Sequence, residues 1–190
     1  MTSQIAFLSI ALLFSQNLIG GFAYQGAARK PKASDFSFAD TQYFHRYTKD
    51  DQHEYTPQGQ EDLNAWTEMV TLLVYRKVKD GDGLAATANA VLENYKANKA
   101  VVVKTNSVPR TREKPAEHLV VVIFPRPDFL EAAFTRFRLH DGAGSAVVFS
   151  HRIYGKKAGD AMSAWLEKNG ATIEGVLMKW DSVPKPLPQG

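Results

Sequence analysis

The sequence predicts an α+β fold, in which helices pack against a mainly antiparallel β-sheet. Hairpin signals are frequent along the chain, whereas segments with helical spacing are few. Two apolar runs, 65–78 and 118–124, have the pattern of strands that are buried on both faces. About 160 residues follow the N-terminal leader, a length that fits one domain with its own core.

The first predicted elements are a β-hairpin and a long strand. Short pieces rich in aromatic and β-branched residues, 43–48 and 54–56, flank a polar loop at 49–52. After a polar turn, the segment Ala65–Val78 carries apolar side chains at both alternating positions. This pattern favours a central strand that is covered on two sides.

The middle of the chain predicts one helix followed by two strands. Apolar residues recur at helical spacing over Leu84–Tyr95, with Asp82 as the expected N-cap. A strand is expected at 100–105, and a loop rich in proline and charge at 106–115. The Val/Ile run 118–124 is bounded by prolines and predicts a second strand that is buried on both faces.

A second hairpin is predicted from two apolar segments, 134–140 and 145–154, around a glycine-rich turn. If the loop is Gly142–Gly144, Phe137 lies opposite Phe149. This register would place the apolar side chains of both strands on one face.

Two helices are expected to close the domain. Residues 161–166 have helical spacing, with Asp160 at the start and Asn169-Gly170 at the end. A second short helix is expected over 173–180. Three prolines between 184 and 188 forbid further regular structure.

The N-terminus has the pattern of an export signal. The uncharged apolar run 5–14 is about ten residues long, which suits a signal-peptide core and is too short to span a bilayer. Small residues permit cleavage after Ala23 or after Ala28, and the first site is preferred. Residues 1–4 lack Lys and Arg, which departs from the signal-peptide pattern, and the alternative is an uncleaved membrane anchor or an interfacial helix.

The resulting domain organisation has four parts: a signal peptide at 1–23, a flexible N-terminal segment at 24–40, one α+β domain at 41–181 and a Pro-rich tail at 182–190. The chain has no cysteine, which excludes disulfides, thiolate catalysis and Cys-type zinc sites. Its net charge of +3 is uneven: residues 33–68 carry −6, and residues 69–190 carry +6. The periplasm or the exterior is the expected location.

No catalytic or metal-binding motif stands out. The histidines lack the i, i+2 or i, i+4 spacing of paired metal ligands, and no cofactor or metal is predicted. Ser150 and His151 are adjacent on a strand and should face opposite sides, which disfavours a nucleophile and base pair. Glu68, beside Trp66, is the one carboxylate whose surroundings could raise its pKa. The five histidines are His45, His53, His118, His140 and His151.

Basic residues suggest an anion-binding surface on the last hairpin. By alternation, arginines of the first strand share a face, and the expected register places Ser150 and an arginine of the second strand beside them. Guanidinium groups bind carboxylate or phosphate through forked pairs of hydrogen bonds. The predicted binding residues are Arg110, Arg112, Arg136, Arg138, His140, Arg152, Lys156 and Lys157.

One segment carries a family resemblance. The stretch Leu63–Thr71, which contains Trp-Thr-Glu-Met and opens a long strand, resembles a group of uncharacterised bacterial secreted proteins. The element order over 43–180 is similar to the PsbP-like α/β/α sandwich. This resemblance implies a small exported binding or assembly-support module, often without catalytic residues.

These observations together predict an exported, non-enzymatic binding module. Its expected partner is an envelope protein or an anionic ligand, and the export signal disfavours nucleic acid. No transmembrane span is expected after cleavage. The alternative is an envelope hydrolase whose site is assembled near Glu68 and the histidines.

Overall fold

The structure, a computed structural model, describes residues 34–184. The predicted signal peptide and most of the Pro-rich tail lie outside the described residues. Eight strands and two helices follow one another along this part of the chain. They are β1 Phe36–Phe38, β2 Thr41–Lys49, β3 Gln52–Pro57, β4 Glu68–Tyr75, α1 Gly81–Ala97, β5 Val101–Val108, β6 Glu117–Pro125, β7 Phe129–His140, β8 Ala143–Tyr154 and α2 Ala158–Lys179.

All described strands form one antiparallel sheet in the order β1-β2-β3-β4-β8-β7-β6-β5. The connection from β4 through α1 crosses three strands and leaves β5 at the far edge of the sheet. One helix packs on each face of the sheet. The predicted α+β fold with a mainly antiparallel sheet and packed helices is confirmed.

The core has two layers because side chains alternate between the faces of each strand. On the α2 side, Val70, Phe134 and Phe149 pack with Met162 and Leu177 of the helix. Aromatic rings dominate this layer, and they bury large apolar areas at little cost in rotamer entropy. The other layer lies under α1.

In the α1 layer, Leu84, Ala88 and Tyr95 of the helix pack on Val122 and Phe137. The predicted helix is therefore confirmed. Its first residues differ from the prediction, as does the cap.

The N-cap of the helix lies two residues earlier than expected. Asp80, rather than Asp82, is the N-cap, and its Oδ1 accepts a hydrogen bond of 2.8 Å from the backbone N–H of Gly83. Asp82 lies in the first turn, where its negative charge interacts favourably with the positive end of the helix dipole. Either aspartate fits a capping pattern, and the backbone of Asp80 is the extended one that a cap requires.

The predicted register of the β7–β8 hairpin is wrong. Asp141 and Gly142 have φ angles of 49° and 73°, so these two residues alone form the turn. Two consecutive positive φ angles are typical of a type I′ turn, which matches the twist of the strands that it joins. Phe137 therefore lies opposite Ala146 rather than Phe149. The shift is three residues, an odd number, so it moves side chains of β8 to the opposite face.

Two further predictions are wrong. The two expected C-terminal helices form one continuous helix, α2, in which the Asn169 amide donates to the carbonyl of Trp165 instead of ending the helix at Gly170. Part of the expected flexible segment is ordered, because β1 pairs with β2 and Phe38 is buried. Among residues 34–184, neither helix combines the length and the apolarity needed to cross a bilayer.

Candidate binding surface

Strand β5 forms an exposed edge of the sheet. All eight residues of Val101–Val108 are exposed, on both faces of the strand. On its inner side β5 pairs with β6, and no other described strand pairs with its outer side. An edge strand with unpaired N–H and C=O groups is a template for the addition of another strand.

The exposed side chains of β5 are unusually apolar. Val101 is 59% exposed, and three further valines of the strand are also among the exposed large apolar residues. A strand of this kind tends to aggregate unless a partner covers it or a local feature limits pairing. Two such features are present in β5.

A bulge and a lysine interrupt the strand near its middle. The register with β6 shifts between Val102 and Lys104, so Val103 has no partner. Lys104 Nζ binds both carboxylate oxygens of Glu174 on α2, at 2.8 and 2.9 Å. Both features discourage pairing with an arbitrary strand. The segment Thr105–Val108 keeps a regular register and offers the longer unbroken edge.

A positively charged turn follows β5 directly. The Thr111 Oγ1 accepts hydrogen bonds from the backbone of Glu113 and Lys114, and Thr111 N–H donates to the carbonyl of Lys114 at 2.8 Å. This turn presents Arg110, Arg112 and Lys114 to solvent. None of the three cations forms an ion pair within the part of the chain that the structure describes.

A cleft of about 320 Å³ lies between α1 and the β5–β6 pair. Most of its lining is polar but uncharged. Inside it, Ser107 Oγ lies 2.8 Å from His118 Nδ1, and these residues are direct cross-strand partners. The His118 Nε2 atom is buried and has no hydrogen-bond partner among the described residues. The lining residues are Ala88, Asn89, Leu92, Thr105, Asn106, Ser107, His118, Leu119 and Val120.

The predicted basic residues of β7 lie under α2 rather than on an open face. Arg136 is 2% exposed, and its guanidinium forms a forked pair with Glu117 at 2.7 and 2.9 Å. Its Nη1 also donates to the carbonyls of Leu177 and Trp180 at the end of α2. Arg136 therefore caps the helix C-terminus.

The neighbouring basic side chains differ in exposure. Arg138 is 6% exposed and donates to Asp181, while its Nε and Nη2 atoms have no hydrogen-bond partner in residues 34–184. Burial, together with the charge of Arg136, lowers the pKa of Arg138. His140 lies on the same face near the hairpin turn and is partly exposed.

The remaining predicted residues are not brought together with these. Arg152 lies on the α1 face, where it binds Glu131 at 2.8 Å and stacks between Trp66 and Phe129. Lys156 and Lys157 are exposed just before α2. The expectation of one shared basic face is wrong, because the observed register turns Ser150 and Arg152 away from Arg136. Arg110 and Arg112 lie beside the β5 edge.

Glu68 lies near one of the five histidines, His151. Glu68 and His151 are cross-strand partners, and Oε1 lies 3.8 Å from Nδ1, too far for a hydrogen bond. The His151 ring stacks on Trp165 at 4.0 Å, and burial lowers its pKa to about 4. Burial raises the pKa of Glu68, which also accepts a hydrogen bond from the Tyr43 hydroxyl at 3.3 Å.

The other histidines lie elsewhere. His45 and His53 both contact the Thr48 hydroxyl on the β2–β3 hairpin, at 2.7 and 2.8 Å. His118 lies in the cleft beside β5. Within residues 34–184, no group of three or more potential ligands gathers in a way that could hold a metal ion.

Sequence patterns missed the exposed edge and the cleft. The run Val101-Val102-Val103 indicates a strand by composition, and its exposure follows from the position of β5 at the edge of the sheet. Only strand order can reveal an edge. The signal that was available is the loop after the strand, whose arginines and prolines indicate a solvated end.

Comparisons with known proteins give one match to a family model and several to solved structures. The family model matches residues 31–175. No curated protein matches. A point mutant of protein Mog1 has 10% identity and a TM-score of 0.48, covering 72% of this chain and 82% of its own.

Two other solved structures are also similar. The Ran-binding protein Mog1p of Saccharomyces cerevisiae has 11% identity and a TM-score of 0.45, covering 72% of this chain and 83% of its own. Human STARD10 has 8% identity and a TM-score of 0.32, covering 73% and 74%. With TM-scores below 0.5, these likenesses carry no argument about function.

Proposed function

We propose that this chain, which belongs to the uncharacterised bacterial family whose model it matches, is a non-enzymatic binding module. It captures an acidic, extended segment of a partner protein. The segment adds to the sheet as a ninth strand beside β5. The observation that carries this proposal is the exposed edge strand followed by three cations that form no ion pair within residues 34–184.

Strand addition uses groups that every peptide has. The outward N–H and C=O groups of β5 supply main-chain hydrogen bonds to an extended partner, and side chains then add selectivity. The four exposed valines bury apolar area only when such a partner is in place. The regular segment Thr105–Val108 lies next to the basic turn, so both contributions act at the same end of the strand.

Charge favours an acidic partner over a second copy of this chain. Residues 99–114 contain five basic residues and one acidic residue. Two copies paired through β5 would bring these positive segments together, whereas an acidic peptide would neutralise them. Arg110 and Arg112 are suited to forked hydrogen bonds with carboxylates.

The location and the finer fold assignment belong to the same proposal. The export signal at 1–23 lies outside the described residues, and the apolar run 5–14 is its support. An envelope protein in the periplasm or outside the cell is accordingly the proposed source of the segment. One helix on each face of a single sheet supports the PsbP-like α/β/α arrangement.

The hydrolase alternative has less support. It rests on the proximity of Glu68 and His151, while the remaining histidines lie on other parts of the sheet. The group that joins that pair is the Tyr43 hydroxyl, which donates to Glu68 at 3.3 Å, and burial raises the pKa of Tyr43, so it stays protonated. The exposed edge of β5 therefore supports the binding proposal more strongly than the Glu68–His151 pair supports a hydrolase.

Binding of a defined peptide tests the proposal. The probe is a blocked octapeptide of alternating Glu and Val, and its controls carry Lys in place of Glu or N-methyl groups at alternate amides. The full chain should bind the acidic peptide and neither control. The Arg110→Glu/Arg112→Glu variant should bind at least about tenfold more weakly, because it reverses the charge beside the edge.

A matched variant separates this effect from net charge. Lys156→Glu/Lys157→Glu changes the total charge by the same amount at exposed positions away from β5. It should bind like the unaltered protein. Equal losses in both variants, or equal binding of the N-methylated peptide, would contradict strand addition at β5.

A further inference from the structure

We infer that the captured segment binds the outward main-chain groups of Thr105 and Ser107, and that it displaces the side chain of Asn106 from the Ser107 amide. This inference rests on the proposed function, because it names the groups of the β5 edge that capture uses. Asn106 competes with the segment for one of these groups, so it sets how strongly the segment is held.

Main-chain groups alternate in direction along each strand of the sheet. In an antiparallel pair, a residue that bonds its partner strand is followed by a residue whose N–H and C=O point to the other side. Gly144 N–H donates to the carbonyl of Val78, just after β4. Arg152 N–H donates to the carbonyl of Thr67, just before β4. The even-numbered residues of β8 therefore direct their main-chain groups toward β4.

The registers of β7–β8 and β6–β7 carry this direction across the sheet. Phe137 lies opposite Ala146 of β8 and opposite His118 of β6. Ala146 bonds β4, so Phe137 bonds β6, and His118 bonds β7 rather than β5. Ser107 is the partner of His118 in β5, so its N–H and C=O point away from the sheet. Thr105, two residues earlier, points the same way.

A side-chain contact agrees with this direction. Antiparallel partners that exchange no main-chain hydrogen bonds lie closer together than partners that do, and their side chains approach each other more closely. Ser107 and His118 are such partners, and the serine Oγ lies 2.8 Å from the histidine Nδ1. The main chain of Ser107 therefore faces the open edge.

The Asn106 side chain already occupies one of the outward groups. Its Oδ1 accepts a hydrogen bond of 2.9 Å from the Ser107 N–H. Asn106 is exposed, so this bond opens without disturbing the core. A main-chain carbonyl of the added segment is an amide acceptor of the same kind, so exchanging one acceptor for the other gains little free energy. Without the Asn106 acceptor, the same contact with the segment would be a net gain.

The regular part of the edge is short, so each outward group matters. The bulge at Val103 breaks the alternation on one side. On the other side, Pro109 has the outward position but no N–H to donate. Between them, the outward donors and acceptors are the N–H and C=O groups of Thr105 and Ser107. Asn106 therefore blocks half of the donors that the segment needs.

Substitution of Asn106 tests the inference with the acidic octapeptide. Asn106→Leu keeps the approximate size of the side chain and removes the acceptor, so this variant should bind the peptide at least about threefold more tightly. Asn106→Ala, which adds no apolar contact, should show a gain of the same order. Thr105→Val is the matched control, because it makes the neighbouring position apolar and frees no amide. It should bind within about twofold of the unaltered protein.

Amide exchange in the peptide-saturated protein checks the register. The Thr105 and Ser107 amides should slow, whereas those of Asn106 and Val108, which already bond β6, should not change. Peptide binding with no gain in the Asn106 variants, with an equal gain in Thr105→Val, or with slowing at Asn106 and Val108 instead would overturn this inference alone. Absence of peptide binding in every variant would overturn strand capture itself.

Discussion

Arg136 forms an internal hydrogen-bond network that the amino-acid sequence did not suggest. One guanidinium binds the Glu117 carboxylate through a fork and two carbonyls at the end of α2. The carbonyls carry the negative end of the helix dipole, so the charge is stabilised from both sides. Its partners are therefore inside the molecule, and the residue stabilises the fold.

Replacement of Arg136 should cost stability. Arg136→Met removes the cation and leaves Glu117 and two carbonyls without their donor, so we expect a loss of about 3 kcal/mol in the free energy of unfolding. Urea denaturation measures this loss. Arg136→Lys should also destabilise, because an ammonium cannot form the fork. Arg112→Met, at an exposed site, should change stability by less than about 0.5 kcal/mol.

His151 should make stability depend on pH. Burial lowers its pKa to about 4 in the folded chain, below the ordinary value of 6.5. The unfolded chain therefore takes up a proton first as the pH falls, and stability is lost between about pH 6.5 and pH 4. The shift corresponds to about 3 kcal/mol.

A variant isolates the histidine from its neighbours. Burial raises the pKa of Glu68, which acts in the opposite direction, since the folded chain then gains protons as the pH falls. His151→Phe keeps the ring on Trp165 and removes the titration. From pH 7 to pH 4, the unfolding free energy of the unaltered protein should fall by about 3 kcal/mol relative to that of His151→Phe. A constant difference would show that His151 titrates normally.

At the scale of elements, the start of α1 gives a direct comparison of two aspartates. Asp80→Ala removes the hydrogen bond to the Gly83 N–H and should cost about 1 kcal/mol. Asp82→Ala removes only a favourable charge in the first turn and should cost less. Thermal unfolding of both variants measures the difference. A larger loss for Asp82 would place the cap where the sequence pattern suggested.

Most elements were predictable because their signals are local. The periodicity of Leu84–Tyr95 and the two-sided apolar pattern of β4 and β6 each describe burial by adjacent layers, and the structure confirms them. The hairpin turn was also located correctly. Its register was not, because Asp141-Gly142 and Gly142–Gly144 are both plausible turns in sequence, and φ angles decide between them.

The candidate site was less predictable than the fold. Arginines at alternate positions of a strand look like a basic surface, and only the packing of α2 reveals that Arg136 is internal. The exposure of β5 depends on strand order, which α1 determines by carrying the chain to the far edge. The His118 cleft needs three elements together, so no single segment contains its signal.

For the whole molecule, the distribution of charge matters more than the total of +3. Residues 33–68 carry −6, while the turn after β5 is positive. If an acidic segment binds at that turn, its affinity should fall as salt rises from about 0.05 to 0.5 M, because the Debye length shortens from more than 10 Å to about 4 Å. Peptide titrations at three salt concentrations measure this. Affinity that is independent of salt would leave the cations without a role.

Amide hydrogen exchange along β5 tests the central claim most directly. In the free protein, the outward N–H groups of residues 101–108 should exchange quickly, because no described strand protects them. Saturation with the acidic octapeptide should slow these amides at least about tenfold, and the N-methylated peptide should leave them unchanged. Bound peptide without protection at 101–108, or with protection confined to residues near 156–157, would contradict strand capture at this edge.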